Sequence, residues 1–179
     1  MGTVLYEYNG FSFDTSMLIP FIMTGFAMIF FIKPELWYVF KQPDNVNNEN
    51  RKAAKIFVRI FISLCICSIA LLGSLGFRAQ YNMYKKLSAA YKSGSYETTE
   101  GYVENFDPMP VQGHKYESFT VGGIDFYYSD YEIIQGYHNS KAKGGVITGN
   151  GQHLKIGYVP YTDSNSRDQN IIIYIEEIK

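Results

Sequence analysis

His114, Glu117, Asp125, Asp130 and Glu132 crowd into one stretch, GHKYESFTVGGIDFYYSDYE, residues 113–132, with His138 and His153 further on. Imidazole and carboxylate are zinc ligands. Their spacing here is irregular, and no H-x-H or H-x-x-x-H pair occurs. Neither Ser118 nor Ser129 sits in the G-x-S-x-G elbow of a serine hydrolase. General acid–base chemistry needs carboxylates that converge, whereas strand alternation scatters Glu117, Asp125, Asp130 and Glu132 over two faces. The glycine-rich run GGVITGNGQ, residues 144–152, has neither G-x-G-x-x-G nor a Walker lysine in place, and reads as a rim loop. The sequence therefore assigns no catalytic residue, metal ligand or cofactor, and the chain reads as a non-enzyme.

The same stretch makes better sense as a hairpin. HKYESFTV and IDFYYS flank Gly122-Gly123, and a two-residue Gly-Gly link fits a primed turn. The register then places Val121 opposite Ile124, Phe119 opposite Phe126 and Glu117 opposite Tyr128, all on one face. Ser118, Thr120, Asp125 and Tyr127 fall on the other face. This pairing also brings DPMPVQGH and SDYE together at the open end of the hairpin. Pro108, Pro110, His114, Glu117, Tyr128, Asp130 and Tyr131 form the candidate binding rim.

Around the hairpin, the C-terminal half reads as short strands parted by Gly, Pro, Asn and Asp. EGYVENF opens it, YEIIQGYHNSKAKGGVITGNGQ reads as a short strand and then a glycine-rich loop, HLKIGYVPY alternates, and NIIIYIEEI is apolar on both faces. Five or six such strands over residues 99–179 predict a small antiparallel β-barrel of the OB-like or SH3-like kind.

The N-terminal half belongs to a membrane. IFVRIFISLCICSIALLGSLGF, residues 56–77, is long enough to cross a hydrocarbon core of about 30 Å. Arg59, near its start, can snorkel to the headgroups. An earlier run, MLIPFIMTGFAMIFFI, is shorter, but LWYVF beyond Lys33-Pro34-Glu35 continues it with an interfacial aromatic belt. Asp14, Thr15 and Ser16 are N-cap types. No Lys or Arg precedes this run, which argues against a signal peptide. Cys65 and Cys67 are the only cysteines, so neither a zinc site nor a disulfide scaffold is expected. After the second helix, Tyr81, Tyr84, Leu87 and Tyr91 keep helical spacing up to a Lys92–Gly94 terminus. The expected organisation is an N-terminal tail (1–16), a two-helix transmembrane hairpin (17–77) with a polar loop (33–55), a helical stalk (78–98) and the β domain (99–179). It is an α+β membrane protein.

The string EGYVENFDPMPVQGHKYESFTVGGIDFYYSDY, followed by GG and LKIGYVPY, resembles uncharacterised bacterial membrane proteins. In these, two transmembrane helices precede a small C-terminal β domain of unknown function. The resemblance covers roughly residues 78–178. It implies the fold and offers no catalytic residue to carry over.

Lys33, Lys41, Arg51, Lys52 and Lys55 lie between the two apolar runs. The positive-inside rule places that loop in the cytoplasm and the C-terminal domain in the periplasm of a bacterial inner-membrane, multi-pass protein. Arg78, Lys85, Lys86 and Lys92 pull the other way. The formal net charge of −1 and the thin basic–aromatic interleaving argue against a nucleic acid polymer as partner. The expected partners are the lipid bilayer, a protein or small ligand, and further copies of the chain. Two readings follow: a non-enzymatic, membrane-anchored interaction module of the immunity or envelope-accessory type, or a ligand-gated antiphage membrane effector whose barrel senses a signalling nucleotide.

Overall fold

The computed structural model describes residues 2–11, 15–32, 48–110, 115–162 and 168–179. It divides into two compact units, residues 13–79 and residues 1–12 with 80–179. The elements are β1 (Thr3–Glu7), α1 (Ile19–Ile32), α2 (Asn48–Ser93), β2 (Glu97–Asp107), β3 (Glu117–Val121), β4 (Ile124–Tyr128), β5 (His153–Thr162) and β6 (Asp168–Glu177).

Among the described residues one helical stretch, Ile56–Ser93, which begins in the first unit, is long and apolar enough to cross a membrane. None of its most apolar window is buried in the protein, and side chains such as Phe57, Leu64 and Leu72 are exposed. Helix α1 has 14 residues. The tight turn Thr15–Leu18 precedes it directly, and the two together run about 29 Å. A Cβ on Gly73 of α2 would stand 3.1 Å from Pro20 Cβ, so the small residue lets the two helices approach there. The LWYVF belt lies outside the described residues. Helix α2 begins at Asn48, inside the stretch read as polar loop, because six of the seven residues of ENRKAAK, all but Asn50, are strong helix formers.

Helix α2 runs without interruption to Ser93. Gly94 then takes φ +69°. Its N–H donates to Tyr91 O (3.3 Å) and that of Ser95 to Ala90 O (3.0 Å). This is a Schellman stop, which satisfies the last carbonyls. In the second unit the stripe Met83, Tyr84, Leu87, Ala90, Tyr91 packs on Tyr8, Val159, Ile171 and Ile173 of the sheet. The spacing that reads as a stalk is a docked face.

The sheet is six-stranded, antiparallel and open, in the order β1-β6-β5-β2-β3-β4. The β3–β4 hairpin pairs Glu117 with Tyr128, Phe119 with Phe126 and Val121 with Ile124, the register the sequence predicts. Gly122 and Gly123 have φ +58° and +79°, the two left-handed positions of a type I′ turn. Strand β2 pairs first with β5 and then with β3. Asn105, at φ 52°, bends it in the second half, where the register slips; asparagine tolerates that conformation.

Three sequence expectations need correction. Among the described residues no backbone ladder closes the barrel. Strand β4 meets β6 through side-chain bridges: Tyr127 Oη donates to Asp168 O (2.6 Å), Gln169 Nε2 to Tyr127 O (3.0 Å) and Asn170 Nδ2 to Asp125 O (3.0 Å). Further along β6 the outer edge is taken, by Tyr137 N–H at Ile172 O and then by β1. YEIIQGYHN is not a strand but an irregular segment, because it turns at Gly136 (φ +97°). Residues 3–7, read as tail, form the edge strand β1.

Phe119 and Phe126 are 2% and 1% exposed and stack at 5.3 Å. Phe119→Ala should cost about 3–5 kcal/mol. Phe119→Asp, an unpaired charge in the core, should abolish the cooperative melting transition. Tyr102→Ala, on the outer face and 60% exposed, should barely shift it. Circular dichroism melts check all three, and an unchanged melt for Phe119→Asp would overturn the core assignment.

Candidate functional site

The open end of the hairpin holds a buried carboxylate. Glu117 is 0% exposed, because alternation puts it on the core face with Phe119 and Val121. Tyr128 Oη donates to Glu117 Oε1 (2.8 Å), and Lys141 N–H is shared between both oxygens (3.1 and 3.0 Å). Met109 N–H reaches Oε2 at 3.4 Å. The carboxylate thus ties the β2–β3 loop, the hairpin and the short turn Lys141–Lys143. Burial first, then the neighbouring Tyr137 and Glu117, hold the Tyr128 phenol far above its ordinary range. At physiological pH it remains a hydrogen-bond donor.

Asp130 lies next to this centre. Its side chain is 5% exposed. Oδ2 accepts from Ser140 Oγ (2.8 Å) and faces Lys143 Nζ (3.2 Å), while Oδ1 is buried with no hydrogen-bond partner. Lys143 Nζ also sits over the Tyr131 ring at 4.8 Å. The candidate rim therefore divides. Glu117, Tyr128 and Asp130 are inside; Tyr131, Pro108 and Pro110 are on the surface; His114 lies outside the described residues. The acidic side chains do not converge. Asp125 accepts from Thr120 Oγ1 (2.7 Å) and Glu132 from the Tyr116 hydroxyl, while Ser129 Oγ faces Met109 Sδ at 3.8 Å.

The histidines are apart too. His153 stacks on Tyr102 at 4.7 Å with Nε2 3.5 Å from Glu100. His138 lines a cleft of about 270 Å³ with Tyr6, Tyr8, Tyr137 and Asn139. No group of three or more metal-ligating side chains occurs among the described residues. The cleft connects to the buried carboxylate through rings: Tyr6 meets Tyr137 edge-on at 5.0 Å, Tyr137 meets Tyr128 at 5.4 Å, and Tyr128 donates to Glu117. Sequence reasoning missed this cleft. Half of it comes from residues 6–11, where the register slip between Val4 and Tyr6 breaks the alternation that could have signalled it.

No family model, curated protein or solved structure matches this chain. The site must be judged from its own geometry.

Tyr128→Phe removes one donor from Glu117 and should cost about 1–3 kcal/mol. Glu117→Gln should cost more, because an amide N–H₂ then faces backbone N–H groups. Chemical denaturation measures both, and a neutral result for Glu117→Gln would overturn the network.

A second prediction concerns alkaline pH. Burial, then Tyr84, pushes the Tyr8 phenol up to about 12; burial, then the bond to Glu176, does the same for Tyr174, also to about 12. Unfolded phenols titrate near about 10. Between these values the folded state keeps protons that the unfolded state has lost. Stability is therefore intact below pH 10 and falls as pH rises through 12. Denaturation midpoints followed against pH, with tyrosinate absorbance, test the sign.

Proposed function

We propose that this protein is a membrane-anchored, non-enzymatic interaction module of the bacterial inner membrane, of the immunity or envelope-accessory type. Its sheet unit binds a protein, an envelope component or a small ligand. The observation that carries this reading is the pairing of β1 with β6 combined with a single helix, α2, that holds both the apolar stretch and the sheet-docked stripe. The pairing fixes residues 3–7 and the C-terminal strands in one sheet. Two strands in one sheet support a reading in which any crossings between them are even in number.

With Ile56 to Phe77 as one span, a second crossing between residues 8 and 55 would bring both ends to one side. The apolar helix described there is α1, which supports the two-pass hairpin. Both termini then lie on one side, the periplasmic side by the loop charges between the helices.

A second reading is a ligand-gated effector, with the sheet unit sensing a signalling nucleotide in the cytosol and the helices assembling. The unbroken α2 favours it, since a shift at the docked stripe can pass along one helix. Side of the membrane separates the two. Reporters fused ahead of Met1 and after Lys179 should agree with each other, alkaline phosphatase being active and a fluorescent protein dark. Disagreement between the ends would overturn the two-pass reading. Two fluorescent ends would overturn the periplasmic placement and favour the effector.

A further inference from the structure

The cleft beside Tyr137 restricts what it can hold. Tyr6, Phe11 and Tyr137 supply ring walls, and Asn9, Asn139 and His138 supply hydrogen-bonding groups. Among the described residues no Asp, Glu, Lys or Arg lines it. An ammonium group would meet no carboxylate among them, and a phosphate or carboxylate no permanent cation, so the desolvation of either would go largely uncompensated. His138 Nδ1 lies 2.9 Å from Gly136 O. A proton on Nδ1 makes that bond and leaves Nε2 as an acceptor. The two carboxamides each offer a donor and an acceptor. That set matches hydroxyl groups, which also donate and accept.

The rings and the volume narrow the class further. Tyr6 stands at 67° to Tyr137. That contact is not parallel, so the pair forms no slot that sandwiches a flat base. Separate ring faces at steep angles suit the C–H faces of a puckered, saturated ring. About 270 Å³ is the room of roughly nine waters at about 30 Å³ each. This is just below the range of drug-sized pockets, about 300–1,000 Å³, and it suits one six-membered sugar.

We propose that this cleft binds one neutral sugar ring of a glycan, held by Asn9, His138 and Asn139 against Tyr6, Phe11 and Tyr137. The proposal rests on reading the sheet unit as a binding module, and it names the ligand class that module takes.

The test uses the full chain in nanodiscs, since maltoside detergents would compete. Methyl glucoside and methyl N-acetylglucosaminide are titrated by calorimetry and saturation-transfer NMR, with adenosine and glucose 6-phosphate beside them. At least one neutral glycoside should saturate with a Kd on the order of 1 mM, as expected for so small a ligand. Asn9→Ala and Asn139→Ala, both at exposed positions, should each weaken it about tenfold with unchanged melting. Glucose 6-phosphate should bind no better than the neutral glycosides. Adenosine or the phosphosugar binding preferentially, with loss in the same variants, would overturn the sugar assignment and keep the binding module. No saturable binding by either glycoside would overturn the proposal, while retention of the chain in membranes would still judge the anchored-module reading separately.

Discussion

Strand β6 is buried on both faces, and the rest of the sheet unit is arranged around that fact. Ile172 and Ile175 point into the interior with Phe119, Phe126, Leu154 and Ile156. Ile171 and Ile173 point the other way, to Leu87 and the stripe of α2. A strand buried on both faces needs two covers. The curled sheet supplies one and the end of a membrane-length helix supplies the other. Each fully buried isoleucine is worth about 1.5–3 kcal/mol, so separating the helix from the sheet would expose a substantial share of a marginal total. This burial is what makes the C-terminal part of α2 an element of the sheet unit.

Against that apolar frame, Glu117 is the costly residue. A buried carboxylate is tolerated only when its oxygens are hydrogen-bonded. Here the donors come from three separate segments, the β2–β3 loop at Met109, strand β4 at Tyr128 and the turn at Lys141. The carboxylate contributes little net stabilisation for its cost, but it specifies where those segments meet. It pins the start of the Lys141–Lys143 turn, and Ser140, one residue earlier, holds Asp130. These bonds join Met109, Tyr128, Asp130 and Lys141 at the open end of the hairpin, and the Tyr128 ring meets the Tyr137 ring of the neighbouring cleft.

How much of this was legible depended on whether the partner was near in sequence. The β3–β4 register was readable because a two-residue turn leaves no freedom: once Gly122-Gly123 is the turn, Phe119 must face Phe126. The end of α2 was readable for the same reason, since Tyr91, Lys92 and Gly94 form a local cap. NIIIYIEEI announced burial on both faces without saying which element supplied the second cover. Strand β1 was not legible, because five residues with one alternation are too weak a signal without β6 beside them. Glu117 was placed on the inner face correctly by alternation. Its donors at Lys141 and Met109 lie in loops that no periodicity connects to it. In YEIIQGYHN the apolar pair Ile133-Ile134 imitates a strand, but the chain turns at Gly136 and gives the Tyr137 N–H to Ile172.

The β1–β6 pairing carries consequences beyond the sheet. The basic residues flanking the apolar part of α2 are balanced: Arg51, Lys52, Lys55 and Arg59 on one side, Arg78, Lys85, Lys86 and Lys92 on the other. Taken alone, α2 has no charge-encoded direction. Lys33 and Lys41 tip the count, and they do so only if α1 crosses as well. In the proposed two-pass arrangement, α1 supplies that second crossing and both sheet strands fold on the same side. Orientation and fold are therefore not independent in this chain. In that two-pass arrangement, the five residues least visible in the sequence are the ones that hold the N-terminal end against β6.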